Sequence, residues 1–240
     1  MSELPSDFGD PQASTLHALD TPAPEENQLF SPADVYARIK SRVPPALPAK
    51  ALDVLHLPKD GDHRLNDWVV EPEFLSTSRI AAVLIGLVER GGSLHILLTQ
   101  RAGALRVHSG QIALPGGKMD ATDASPAAAA LREVEEEIGI PASRIDVLGY
   151  LPPYLTGSGF RVVPVLARID TPFEAVLNPA EVDELFEVPF AFLMSEANHE
   201  LRQREWKGKP RQFYAMPYGE RHIWGITAGI LRALYERLYR

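Results

Sequence analysis

The sequence predicts a mixed α/β (α+β) domain: a central mixed sheet covered by helices on both sides. Three observations carry that prediction. Apolar runs of strand length recur at Ala81–Glu89, Ser93–Arg101, Ile145–Pro152 and Phe160–Ile169. A capped, alanine-rich helix separates the first pair of runs from the second. The last stretch, HIWGITAGILRALYERL, spaces Ile223, Ile226, Ile230, Leu231 and Leu234 as one face of a packed helix. Strands, helix, strands, helix is the order expected of a sheet with helical cover.

Residues 1–30 hold Glu3, Asp7, Asp10, Asp20, Glu25 and Glu26, four prolines, and no lysine or arginine. Such a segment buries too little apolar surface to offset its chain entropy, so it reads as a disordered acidic tail. Residues 31–78 read as a helix and an arm. Ser31 suits the N-cap and Pro32 the first helical position, while Val35, Ile39 and Val43 line one side and Pro44-Pro45 stops the helix. The arm beyond is loosely structured, with ALDVLHL as a short strand or hairpin arm. The catalytic domain spans 79–240. In it AAVLIGLVE and SLHILLTQR are strands joined at Gly91-Gly92, and RAGALRVHSGQ is a basic loop. IALPGG is a short strand entering a glycine turn. IDVLGYLP and FRVVPVLARI are strands, NPAEVDELFEVPFAFL is an acidic loop followed by a short helix, and RQFYAMPYG is a further strand.

The formal charge is −8 over 240 residues, and the tail supplies −6 of it. The remainder is nearly neutral and has no basic patch, which argues against nucleic-acid binding. There is no cysteine, so disulfides, thiolate metal sites and thiol nucleophiles are excluded, and a cytoplasmic setting fits. No apolar run is long enough to span a bilayer, and the N-terminus lacks the pattern of a secretory signal.

The chemistry concentrates in Leu114–Ile140, LPGGKMDATDASPAAAALREVEEEIGI. Ser125 caps a helix that Pro126 opens and Gly139 stops. Ala127, Ala130, Leu131, Val134 and Ile138 form its apolar stripe. Glu133, Glu136 and Glu137 stand at i, i+3 and i+4, so their carboxylates converge on a patch roughly 120° round the helix from that stripe. Three like charges near a helix C-terminus repel one another and oppose the macrodipole. Arg132 offsets part of this by pairing with Glu136, and a divalent cation would offset the rest. Ligands that are all oxygen point to Mg²⁺ or Mn²⁺ in preference to zinc. On its own such a cluster is more often a solvated face; its fixed setting between a glycine pair and a glycine stop is what distinguishes it.

That setting resembles the Nudix box, G-x5-E-x7-R-E-U-x-E-E-x-G-U. Arg132, Glu133, Val134, Glu136, Glu137, Gly139 and Ile140 match its second half without a gap. The first half departs: the box glutamate falls on Ala124 and the box glycine on Lys118. Gly117 fits only with a loop one residue longer, in which Asp120 and Asp123 stand near the glutamate's place. PGG-K-x-D-x-x-D, preceded by LLTQRAGALRVHSGQ from Leu97, is similar to the coenzyme A pyrophosphatase branch of Nudix hydrolases. The resemblance covers residues 80 to 236.

It implies a Nudix α/β/α sandwich and a metal-dependent cleavage of coenzyme A, or an acyl-coenzyme A, to 3′,5′-ADP and 4′-phosphopantetheine or its acyl form. The implied metal ligands are Glu133, Glu136 and Glu137. Arg132, Glu133 and Glu136 are the catalytic candidates on the helix, and Glu181, Glu184 and Glu187 are further candidates for the general base, Glu184 being preferred. Arg101, Arg106, His108, Gly116 and Gly117 are the substrate-binding candidates. The two arginines either meet substrate phosphates or cap loop carbonyls and pair with Asp120 and Asp123; His108 fits a loop-organising hydrogen bonder better than a base. Trp224 reads as core. The expected partner is a small molecule, with no nucleic acid and no membrane, and a homodimer is compatible with the sequence. Alternatives are a Nudix hydrolase acting on ADP-ribose or NADH, and a catalytically silent ligand-binding Nudix module. The second is disfavoured because all three helix glutamates are kept.

Overall fold

The computed structural model describes residues 29–66, 68–104, 110–206 and 208–240. All but the last two residues of the expected acidic tail lie outside these, as do Arg106 and His108.

The first element is helix α1 (Pro32–Arg42), and it forms as its sequence dictates. Ser31 is extended and its hydroxyl accepts from the Asp34 N–H at 3.3 Å, while Val35 and Ile39 are buried beneath. The arm that follows holds a two-residue strand β1 (Asp60–Gly61), a 3-10 turn (Asp62–Leu65) and helix α2 (Pro72–Ser76). ALDVLHL is neither strand nor hairpin arm; it is a series of turns with Leu55 and Leu57 exposed.

Strand β2 (Arg79–Arg90) and strand β3 (Ser93–Arg101) are joined at Gly91 and Gly92, both at positive φ as that tight turn requires. Then come β4 (Ile112–Ala113), β5 (Gly116–Lys118), helix α3 (Pro126–Ile138), β6 (Ile145–Tyr150), β7 (Tyr154–Leu155) and β8 (Phe160–Ile169). Strand β9 (Val182–Pro189) occupies much of the segment expected to be an acidic loop, and helix α4 (Phe190–Met194) follows it. Its alternation is masked by Asp183, Glu184 and Glu187, yet it pairs antiparallel with β3 from Val182 to Pro189. Two of its charges are offset, Glu187 by Arg90 at 2.8 Å and Glu184 by Arg221. The chain closes with β10 (Glu200–Trp206), β11 (Lys209–Tyr218), β12 (Arg221–Trp224) and helix α5 (Ile226–Tyr239). Ile223 therefore belongs to a strand, because Gly225 at φ 65° ends β12 before the helix begins.

Among the described residues β1 to β9 make one mixed sheet. Strand β8 runs parallel to β2 from Arg79 to Val88, while the opposite edge of β2 is shared by β5 and β3. The period of two sorts β2 cleanly. Ala82, Leu84 and Val88 pack with Ala129, Ala130, Val134 and Ile138 of α3. Ala81, Ile85 and Leu87 face the other way, into a core shared with α1, α4 and α5. The sheet is thus covered on both faces, as the sequence predicts. No helix among the described residues is long and apolar enough to cross a membrane.

The arm is tied down more firmly than its composition suggests. The Asp62 carboxylate, in a residue 8% exposed, accepts from Tyr154 Oη at 2.9 Å, from the Gly157 N–H at 2.7 Å and from Arg211 at 2.5 Å. Asp62→Ala would leave a buried hydroxyl and an N–H without partners, at about 1–3 kcal/mol each. A drop in Tm of roughly 5 °C or more is expected in a thermal melt; an unchanged Tm would mean the latch contributes nothing to stability.

Candidate active site

The two glycines of β5 bring the carboxylate helix against the sheet. Gly116 and Gly117 pair with Val83 and Ala82 of β2. Gly116 is at φ 144°, where a side chain would strike the Ala82 carbonyl. At Gly117 an added Cβ would lie 2.5–2.6 Å from the Glu133 carboxylate. One glycine is needed for the backbone, the other for the side chain it admits.

Helix α3 is built as its sequence predicts: the Ser125 hydroxyl accepts from the Ala128 N–H at 3.1 Å, and Gly139 stops the helix in the left-handed conformation. The glutamates do not share one exposure. Glu137 is 3% exposed and accepts from the Gly116 N–H at 3.1 Å. Glu133 is largely buried, whereas the Glu136 side chain is 53% exposed. The expectation of a partly exposed patch thus fails for Glu137, because β5 and its flanking loop close over that side of the helix.

Arg132 organises the outer half of the site. Its Nε and Nη2 fork onto Asp123 at 3.1 and 3.0 Å, and its Nη1 reaches Glu133 and Glu136, each at 3.0 Å. The bidentate fork on Asp123 holds the lengthened loop against the helix. It also pulls the Asp123 carboxyl below its ordinary range.

A third carboxylate comes from another element. Glu181, immediately before β9, lies with Glu133 and Glu137 so that one oxygen from each falls within 4.8 Å of the others. Sequence reasoning had placed Glu181 among the base candidates and not among the ligands. It is 44 residues from Glu137, and only the pairing of β9 with β3 brings it here. Glu184 and Glu187 stand apart: the first pairs with Arg221 and the second with Arg90. Arg101, at the end of β3, places Nη1 3.8 Å from Glu137 and so takes neither Asp120 nor Asp123 as partner.

Burial shifts both inner carboxyls. It raises Glu133 above its ordinary range and pushes Glu137 up to about 7, against the lowering effects of the Gly116 N–H and Arg101. Three converging oxygen ligands, two of them desolvated, fit a hard divalent cation.

The NUDIX domain family model matches residues 77–212. A protein of Escherichia coli K12 described as the uncharacterized Nudix hydrolase NudL is 43% identical over 158 residues, which is 65% of this chain and 81% of that protein. Its counterpart in Cronobacter sakazakii is 42% identical over the same shares. Among solved structures, a Nudix hydrolase of M. smegmatis, RenU, aligns over 47% of this chain and 71% of its own at 29% identity and a TM-score of 0.41.

Proposed function

We propose that this chain, which belongs to the Nudix hydrolase family, hydrolyses the pyrophosphate of coenzyme A or an acyl-coenzyme A, giving 3′,5′-ADP and 4′-phosphopantetheine or its acyl form. The observation that carries the hydrolytic reading is the convergence of Glu133, Glu137 and Glu181 beside the Gly116–Gly117 turn. The choice of coenzyme A rests on LLTQRAGALRVHSGQ running into PGGKMDATD.

In this reading Glu133, Glu137 and Glu181 hold Mg²⁺ or Mn²⁺, and Glu136, one turn from Glu133 on the open rim, adds a ligand from the solvent side. A cation held there would neutralise the pyrophosphate oxygens and stabilise charge that develops on them. Glu133, held in place by Arg132, accepts the proton of the attacking water. The water oxygen bonds to one phosphorus, and the bridging oxygen leaves with the other. Arg132 fixes Glu133 and Glu136 in place, and Arg101 offers its guanidinium to a phosphate from the wall of the site. Arg106 and His108 are assigned to substrate on the resemblance alone.

The substrate assignment is tested by kcat/KM with Mg²⁺ for coenzyme A, acetyl-coenzyme A, ADP-ribose and NADH. One of the coenzyme A forms should lead by tenfold or more. Equal or faster turnover of ADP-ribose or NADH would sink it.

The metal assignment has a pH signature. A carboxyl whose folded pKa is raised favours the fold below its unfolded pKa, and that contribution is lost as pH rises through the folded value. For Glu137 the window runs from the ordinary carboxylate range up to about 7. A cation needs the ionised form. Saturation is therefore harder at low pH, and a fixed, sub-saturating Mg²⁺ concentration should raise Tm more at pH 8 than at pH 6. Equal shifts at both values would contradict it.

A further inference from the structure

Two helices that the carboxylate chemistry does not use meet beside a basic groove. Helix α1 lies along α5: Arg38 donates to the Leu238 carbonyl at 3.3 Å, and Arg42 to the main-chain oxygen of Arg240 at 3.1 Å. Lys59, just ahead of β1, and Pro152, between β6 and β7, complete the walls of an open groove of about 570 Å³. That is the room a nucleotide or a stretch of peptide takes, and far more than an inorganic ion needs. Both helices pack on one face of the main sheet and α3 on the other, so the groove and the carboxylates lie on opposite faces.

The charge of the groove is unbalanced. Its two acids are already matched, Asp60 by Arg64 at 2.9 Å and Glu236 by Arg232 at 3.0 Å. Arg240 pairs with Glu196, and Arg42 spends one nitrogen on the Arg240 oxygen. Lys59 and Arg237 line the groove, are exposed, and have no ion-pair or hydrogen-bond partner among the described residues. Unmatched cations in one concavity favour an anionic occupant.

The chain itself carries one. Residues 1–28, outside the described residues, hold six carboxylates and no lysine or arginine. They join the domain at Leu29, and Phe30 sets its ring against Tyr239 of α5 at 5.3 Å. Helix α1, 11 residues and about 16 Å long, separates that entry from Arg42. About five extended residues span the same distance. Asp20, nine residues before Leu29, and the acids ahead of it therefore have the reach. Single exposed ion pairs are weak. A tether raises the local concentration of the segment to the order of millimolar, which fills a weak site that a free partner would leave empty.

We propose that this groove docks the chain's own acidic N-terminal segment, with Asp20 and the acids ahead of it set against Lys59, Arg237 and Arg42. The docked segment leaves the carboxylate site open, so the interface is intramolecular without being autoinhibitory. Carbodiimide joins a carboxylate to an amine only where the two touch, and Lys59 supplies the amine. In the full chain at low salt, amide links between Lys59 and the acids of residues 1–28 are expected, read by peptide mass spectrometry. They should fall about threefold or more in Arg237→Ala, which keeps Lys59, and also at roughly 0.5 M salt, where exposed charges are screened. Arg237 is exposed, so the substitution leaves the core intact, and an unchanged Tm checks that. Absence of the links in the parent, or undiminished links in Arg237→Ala, would overturn the docking site. A mixture of ¹⁵N-labelled and unlabelled protein separates the two sources of acid. Links within one chain support the proposal; links between labelled and unlabelled chains contradict it, because a second copy then supplies the occupant.

Discussion

Glu137→Gln is expected to lower kcat about a thousandfold or more while leaving the fold intact. Glutamine keeps the volume of the side chain and still presents an oxygen to the Gly116 N–H 3.1 Å away. What it loses is the charge. At a buried position beside Glu133 and Glu181 that charge has, among the described residues, one cation in ion-pair reach, Arg101 at 3.8 Å, so in the proposed reading its main counterion would be a divalent cation. Several kcal/mol of stabilisation for the pyrophosphate's developing charge go with the metal, and each 1.4 kcal/mol is tenfold in rate. Because ionising a buried carboxyl costs stability, the metal-free variant should melt at or above the parent's Tm at pH 8. Steady-state kinetics with saturating Mg²⁺ and a thermal melt check both halves. Activity within tenfold of the parent would remove Glu137 from the metal site.

Gly117→Ala should lower kcat roughly a hundredfold, for a different reason. The backbone there is not left-handed, so alanine fits the local conformation. The added methyl would sit 2.5–2.6 Å from three atoms of the Glu133 carboxylate, where ordinary contact needs about 3.4 Å or more. Glu133 must then swing away by about 1 Å, a displacement that costs on the order of a hundredfold in a site whose geometry is fixed beforehand. A long side chain absorbs the movement, so the Tm should stay close to the parent's. Parent-like turnover would show that Glu133 reaches its working position by another route.

The helix that carries this chemistry was readable because its signals are local. A serine cap, an opening proline, a glycine stop and carboxylates at i, i+3 and i+4 depend on nothing outside Leu114–Ile140. The same holds for β2, β3 and β8, whose apolar runs exceed anything a loop would carry. What escaped the sequence was set by distant partners. Strand β9 hid behind its own carboxylates, because Arg90 and Arg221, which offset two of them, lie 97 and 37 residues away. Glu181 joined the inner group only once β9 had paired with β3. Glu137 gave no sign of burial, since the glycine turn that covers it precedes it by about twenty residues. Trp224 reads as core because aromatic side chains more often are, yet in β12 the neighbouring Ile223 takes the buried face and Trp224 is only half-buried. The arm seemed loose because its hold on the domain is polar, through Asp62, and apolar patterning does not register such a latch.

The most direct test of the central claim, a divalent cation held by the helix carboxylates, is a Mn²⁺ titration followed by electron paramagnetic resonance, on the parent and on a Glu133→Gln/Glu137→Gln double variant. The account predicts a saturable Mn²⁺ site in the parent that is lost or weakened at least a hundredfold in the double variant. The same Mn²⁺ affinity in both proteins would contradict it.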